Sequence, residues 1–132
     1  MKKSIKITLF FCVLTIFSCG NNDDTIKIYE NNNLIGFWVN PVYNGDEVKY
    51  KRAKSLKEGG YGIAFLIENV FIERSSGFCG TPPLVYHNQE GTWQRDDSVI
   101  HLRAENGIRG LMDFQWKIIA IDDKYLILNT SN

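Results

Sequence analysis

From Leu34 onward, apolar and polar positions alternate with a period close to two, and Gly-, Asn- and Asp-rich breaks interrupt the alternation at short intervals. That period marks strands that bury one face. Ile35, Phe37 and Val39 fall on one side of a first strand, Gly36 and Trp38 on the other. Asn44-Gly45-Asp46 reads as a turn into a second strand, where Val48 and Tyr50 alternate with Lys49 and Lys51. After Gly59-Gly60, residues Ile63, Phe65 and Ile67 share a face, and Glu68-Asn69 predicts a tight hairpin because Asn tolerates positive φ. Phe71 and Ile72 then take opposite faces of the return strand.

A long strand is expected over 85–94, with Gly91 as a bulge or bend. Asp96-Asp97 turns into a strand with Ile100 and Leu102 facing in and Val99, His101 and Arg103 facing out. Residues 112–121 put Phe114, Trp116, Ile118 and Ala120 on one face, and Asp122-Asp123-Lys124 turns into a last strand over 125–129. Helical spacing is sustained nowhere in this part of the chain. The prediction is an all-β fold, a small antiparallel up-and-down barrel of about eight strands, which closes on itself and leaves no exposed edge.

The first residues follow different rules. Lys2, Lys3 and Lys6 precede an apolar run from Ile7 to Phe17, and Ser18-Cys19 leads abruptly into Gly20-Asn21-Asn22-Asp23-Asp24. A membrane-spanning helix needs about 20 apolar residues, so this run is too short and fits the apolar core of a signal peptide. Ile16-Phe17-Ser18-Cys19 resembles the lipobox of bacterial lipoproteins, in the looser form of Bacteroidetes-type proteins. The resemblance implies cleavage before Cys19 and attachment of three acyl chains to that cysteine. Two acyl chains already anchor a protein stably. Gly20 after the cysteine leans toward the outer membrane of the cell envelope. The expected organisation is a signal peptide over 1–18, a lipidated cysteine and flexible tether over 19–33, and a barrel domain over 34–132. The tether is asparagine-rich, has an r.m.s. reach of about 20 Å, and contains a short candidate strand at Ile26-Lys27-Ile28-Tyr29.

Processing changes the charge and the thiol chemistry. The full chain is neutral, with fifteen basic and fifteen acidic residues, but removal of three lysines leaves the mature protein at about −3. That balance argues against a nucleic-acid partner, which calls for a basic stripe. Of Cys12, Cys19 and Cys79, only Cys79 remains as a thiol, so an internal disulfide is excluded. With His87 and His101 as the other soft ligands, no four-ligand metal spacing forms. No cofactor motif is present.

Within 34–129 the chain resembles the small lipocalin-like domains of secreted Bacteroidetes lipoproteins. The likeness rests on Leu34-Ile35-Gly36-Phe37-Trp38, on Glu90-Gly91-Thr92-Trp93 followed by Asp97-Ser98-Val99-Ile100, and on Trp116-Lys117-Ile118 with Asp122-Asp123-Lys124-Tyr125-Leu126. It implies a barrel able to hold one small ligand. The long loops, C-terminal helix and disulfide of larger lipocalins are absent.

The candidate ligand-binding residues are Trp38, Tyr50, Phe65, Phe71, Trp93 and Trp116, which either line a cavity or form the core. The candidate interaction loop is Ser75–Pro83, with Phe78, Cys79, Pro82 and Pro83 at its centre. Cys79 is either a reactive thiol or an inert apolar filler between glycines. Catalytic residues are not expected, since Asp96-Asp97 and Asp122-Asp123 sit in turns that favour Asp for backbone reasons. The functional expectation is a non-catalytic module, held to a membrane through Cys19, that binds a small apolar or amphipathic ligand. The alternative is a module that engages an envelope protein, as partner or inhibitor, through loop 75–83.

Overall fold

A computed structural model describes residues 33–77, 82–106 and 109–131. The signal, Cys19 and the tether strand at 26–29 lie outside the described residues. Eight strands form, β1 (Gly36–Asn44), β2 (Glu47–Ala53), β3 (Gly62–Phe65), β4 (Val70–Ser75), β5 (His87–Asp96), β6 (Val99–Asn106), β7 (Gly110–Ile121) and β8 (Tyr125–Asn129). They close into one antiparallel, up-and-down barrel in the order β1-β2-β8-β7-β6-β5-β4-β3. Among the described residues the only helical turn is the 3-10 piece Ile67–Asn69, and no helix is long and apolar enough to cross a membrane. In the β3–β4 hairpin both Glu68 (φ 61°) and Asn69 (φ 62°) are left-handed, one residue more than the sequence required.

One connection departs from a simple meander. β2 pairs with β1 and β8, and β3 pairs with β1 and β4. Residues 54–61 must therefore pass outside β1 to reach β3. Leu56 fastens this crossover: a Cβ at Gly62 would lie 2.9 Å from Leu56 Cδ2 and 3.2 Å from Val39 Cγ1, so Gly62 leaves room for it. Arg74 Nη1 donates to Lys57 O (3.1 Å) and Lys57 Nζ to Asn40 Oδ1 (3.2 Å). The crossover explains why Val39 and Ala64 are buried although they face away from the lumen.

The lumen face follows the predicted alternation, with two irregularities in β1 and β7. A bulge between Val39 and Val42, where Asn40 has φ 54°, returns Tyr43 to the lumen side opposite Val48. A second irregularity between Ile118 and Ala120 moves the inward position from Ala120 to Ile121, which pairs with Leu126. Ala120 is exposed, contrary to the strict alternation, because the extra residue flips every position after it. Gly91 makes no register shift. It is a close approach, where a Cβ would lie 2.5 Å from Arg103 O, so β5 presses against β6 there.

The barrel has two unlike ends. At the lower end, where β2, β5 and β7 finish, the segment 33–35 folds across the opening. Leu34 is fully buried, and Trp38 Nε1 donates to its carbonyl (2.9 Å). Arg52 donates from Nη1 to Ile35 O (3.0 Å) and from Nη2 to Asn33 O, while its guanidinium lies 4.1 Å over the Trp38 ring. Trp93 Nε1 donates to Leu66 O (3.0 Å) at the same end. Both indole N–H groups are thus satisfied by backbone, as buried tryptophans require.

Candidate functional site

Four of the candidate aromatics meet in the lumen. Phe65 contacts Phe71 (ring centroids 5.4 Å) and Trp93 (5.3 Å, nearly edge-on), and Phe71 contacts Trp116 (5.7 Å, nearly edge-on). Phe114 adds a tilted contact to Trp116 at 5.5 Å. These are the offset and edge geometries in which aromatic quadrupoles attract. Phe65 and Phe71 have no exposed surface, and Ile100, Leu102, Leu126 and Leu128 fill the space around them. Trp38 belongs to the closed lower end. The middle and lower parts of the lumen are therefore occupied by the protein's own side chains.

Tyr50 belongs to the same buried core. It lies toward the upper end, defined by the β1–β2 turn, the start of β3 and the end of β4. Three groups join it there. Tyr43 sits at the rim of β1 on the lumen side. Glu73, on β4, shares the face of Phe71 and is opposite Ile63 and Gln89. Tyr61 precedes β3, packs edge-on against Tyr86 (5.1 Å) and shares a 2.5 Å hydrogen bond between its hydroxyl and Ser76 Oγ.

Burial pushes the Glu73 carboxyl above its usual range. Burial, then the neighbouring Tyr43 and Glu73, push the Tyr50 hydroxyl well above the usual phenol value. Tyr43 is raised by burial, then by Glu73 and Tyr61. Among the described residues, no hydrogen bond or ion pair reaches the Glu73 carboxylate or the Tyr50 hydroxyl. Glu73 keeps part of its surface exposed, and among the described residues the buried side-chain atoms without a hydrogen-bond partner are Arg52 Nε and Arg74 Nε.

The rim outside the site is apolar. Tyr43 and Tyr61 are exposed there, as are Leu84, Val85 and Leu111 at neighbouring strand starts. Pro82 and Pro83 of the candidate loop are exposed beside them, whereas Phe78 and Cys79 lie outside the described residues.

A separate cavity of about 630 Å³ opens on the outer face of β5–β7. Thr92, Gln94, His101, Arg103, Asp113 and Gln115 line it, with Glu68 and Asn69 of the hairpin as one wall. His101 faces outward as its alternation with Ile100 and Leu102 predicted. The Arg103 Nε–Asp113 Oδ1 pair (3.8 Å) is exposed on both sides and worth little. No nucleophile–base pair forms in this depression. Among the described residues, no group of three or more His, Cys, Asp or Glu side chains could hold a metal ion.

Sequence reasoning passes over Tyr43, Tyr61 and Glu73. A signal for Glu73 exists: it shares the parity of Phe71, which directs an acid into the lumen. Fold and site together define a closed antiparallel barrel with a filled interior and one polar, aromatic end. The chain matches no protein-family model, no curated protein and no solved structure, so the site is read from its own geometry.

Proposed function

We propose that the protein is a non-catalytic binding module of the cell envelope, which takes a small amphipathic molecule at the upper end of its barrel. The observation that carries this is the contrast along the lumen. The aromatics of the middle and lower lumen contact one another and Tyr50 is buried among them, while Tyr43 is exposed at the upper rim and Glu73, partly exposed, faces the upper lumen. Small-molecule sites combine apolar walls with a few convergent polar groups in this way. An apolar rim at Tyr61, Leu84 and Val85 would receive the greasy part of the ligand.

In the same proposal, lipid on Cys19 holds the protein to a membrane, on the outer-membrane side of the envelope, in the manner of lipocalin-like lipoproteins of Bacteroidetes type. The chain enters the barrel at Asn33, at the lower end, so the tether and the site are at opposite ends. A tethered molecule can thus present its mouth away from its point of attachment.

Native mass spectrometry of the full-length protein taken from its own envelope tests the reading. A bound small molecule that is lost from Tyr43→Ser is the expected result. A bare mass, unchanged after incubation with an envelope lipid extract, counts against it. A second reading, engagement of an envelope protein through loop 75–83, draws on the exposure of Leu84 (41%) and Val85 (58%) beside that loop. It requires that deletion of residues 78–83 abolish a partner's binding while small-molecule binding persists.

A further inference from the structure

Exposed apolar side chains gather at one corner of the barrel's upper end. Val39 pairs with Gly62, so β1 runs on past the start of β3, and Val42 (64% exposed) and Tyr43 (67%) overhang it. Tyr61 lies just ahead of β3, packs edge-on against Tyr86 at 5.1 Å and shares a hydrogen bond with Ser76 Oγ. Tyr86 brings Leu84 and Val85 alongside, both exposed. The segments that carry this patch, 41–45 and 82–86, contain no charged residue. Leu111 stands at the same end, at the start of β7, whereas the exposed Ile67, Ile119 and Tyr125 lie in the lower half of the barrel. Single apolar residues in water are ordinary, but a contiguous group of them marks an interaction surface.

We propose that this rim docks on the lipid surface to which the chain is tethered, with Val42, Leu84 and Val85 entering the acyl boundary and Tyr43 and Tyr61 at headgroup level. The inference rests on anchoring through Cys19 and goes beyond ligand binding. Chain length permits it. The chain reaches the barrel at Asn33, at the lower end, fourteen residues after Cys19. Fully extended, that stretch spans at most about 50 Å. β7, the longest strand, has 12 residues, which is about 40 Å along its run and roughly 30 Å of height at the usual barrel tilt. The tether therefore extends back along the whole barrel, and the rim reaches the membrane that holds the anchor. A short tether also keeps the local concentration of lipid at the rim high. Tyrosine suits an interface where the ring is dry and the hydroxyl wet. An uncharged patch prescribes no partner of a given charge, and a lipid interface requires none. In this pose the upper end opens onto the bilayer, so an amphipathic ligand would come from the membrane itself.

Photo-crosslinking reads the docking directly. Full-length protein purified from its own membranes is reconstituted into phosphatidylethanolamine–phosphatidylglycerol vesicles doped with a diazirine-bearing phosphatidylcholine, and adducts are mapped by peptide mass spectrometry. Adducts on residues 42–43, 61 and 84–86 are expected in excess of those on Ile67 and Ile119, which are exposed at the other end. Combining Val42→Asp with Val85→Asp should cut rim labelling at least about tenfold, because charge is expelled from the lipid boundary, while the protein stays on the vesicles through Cys19. Rim labelling no greater than that of Ile67 and Ile119, or unchanged in the double variant, overturns the docking and leaves the anchor in place. A rim that crosslinks to a protein in place of lipid in native envelope membranes overturns it in favour of a protein partner. Protein that fails to float with the vesicles overturns docking and anchor together. A small molecule bound in native mass spectra without rim labelling leaves the binding reading standing while the docking falls. Should the double variant misfold, the comparison of rim and lower end within the native protein still decides.

Discussion

Replacing Phe65 by alanine separates a packed lumen from a ligand cavity. Phe65 has no exposed surface and holds ring contacts to Phe71 at 5.4 Å and Trp93 at 5.3 Å. Truncating a buried phenylalanine costs about 3–5 kcal/mol, from lost transfer energy plus the cavity left behind. The two ring contacts add to area burial and the closed barrel cannot collapse freely around the gap, so a loss of about 4 kcal/mol is expected. A domain of roughly 100 residues has about 5–15 kcal/mol in total. Phe65→Ala should therefore remain folded but melt about 20 °C lower. Urea unfolding followed by tryptophan fluorescence reads the loss directly, since Trp93 touches the deleted ring, and the slope with denaturant should stay unchanged. The new cavity should be apolar and dry, and benzene should restore part of the stability by binding only the folded form. A loss below about 1 kcal/mol, well under the range for a buried phenylalanine, would mean that Phe65 borders open space, and the description of a filled lumen would fall.

Other substitutions probe other parts of the barrel. Gly91→Ala puts a Cβ 2.5 Å from Arg103 O and should cost about 1–3 kcal/mol by overpacking, measured by the same unfolding curves. Arg52→Met removes the charged donors to Ile35 O and Asn33 O and should cost about 2 kcal/mol, with faster amide exchange over residues 34–38 as the lower end loosens. The Glu73 carboxyl keeps its proton in the folded protein at pH values where the unfolded chain has released it. Stability should fall as pH rises from the ordinary carboxylate value to the raised one, then level off, and Glu73→Gln should remove that decline from a pH series of melting curves. Labelled palmitate should appear on the protein and vanish with Cys19→Ala.

The strands are legible because each buries one face, and a period of two survives in Val48 and Tyr50, in Ile63 and Phe65, and in Ile100 and Leu102. The order of the strands is not. Val48 and Tyr50 alternate in the same way whether β2 pairs with β8 or β3, because alternation records a face and not a neighbour. The crossover over β1 depends on Leu56 meeting Gly62 and Val39, contacts between positions that show no local signature. Ala120 departs from its predicted face for a related reason. The irregularity after Ile118 is a pairing event between β7 and β8, invisible within β7 alone. Gly91 stands out in the sequence, but a bulge and a close approach both call for glycine, and only the neighbouring strand tells them apart.

The site is legible only in part. Tyr50 is among the candidate ligand residues, and the structure buries it in the core below the upper rim. Trp38, Phe65, Phe71, Trp93 and Trp116 carry the same aromatic signal but belong to the closed end or the packed middle, because height in a barrel follows from strand tilt and register and not from residue type. Glu73 beside Arg74 looks like ordinary surface charge, yet the two point to opposite faces of β4. The acid finds no partner among the described residues, and the base is tied to the crossover.

The central claim is that ligand meets the upper end and not the interior. Intermolecular nuclear Overhauser contacts from hexylammonium and hexanol to assigned aromatic rings measure this most directly. Contacts to Tyr43, Tyr50 and Tyr61 are expected, with none to Phe65, Trp93 or Phe114. Contacts to Phe65 or Trp93 would show that the lumen itself admits the ligand and would contradict the claim.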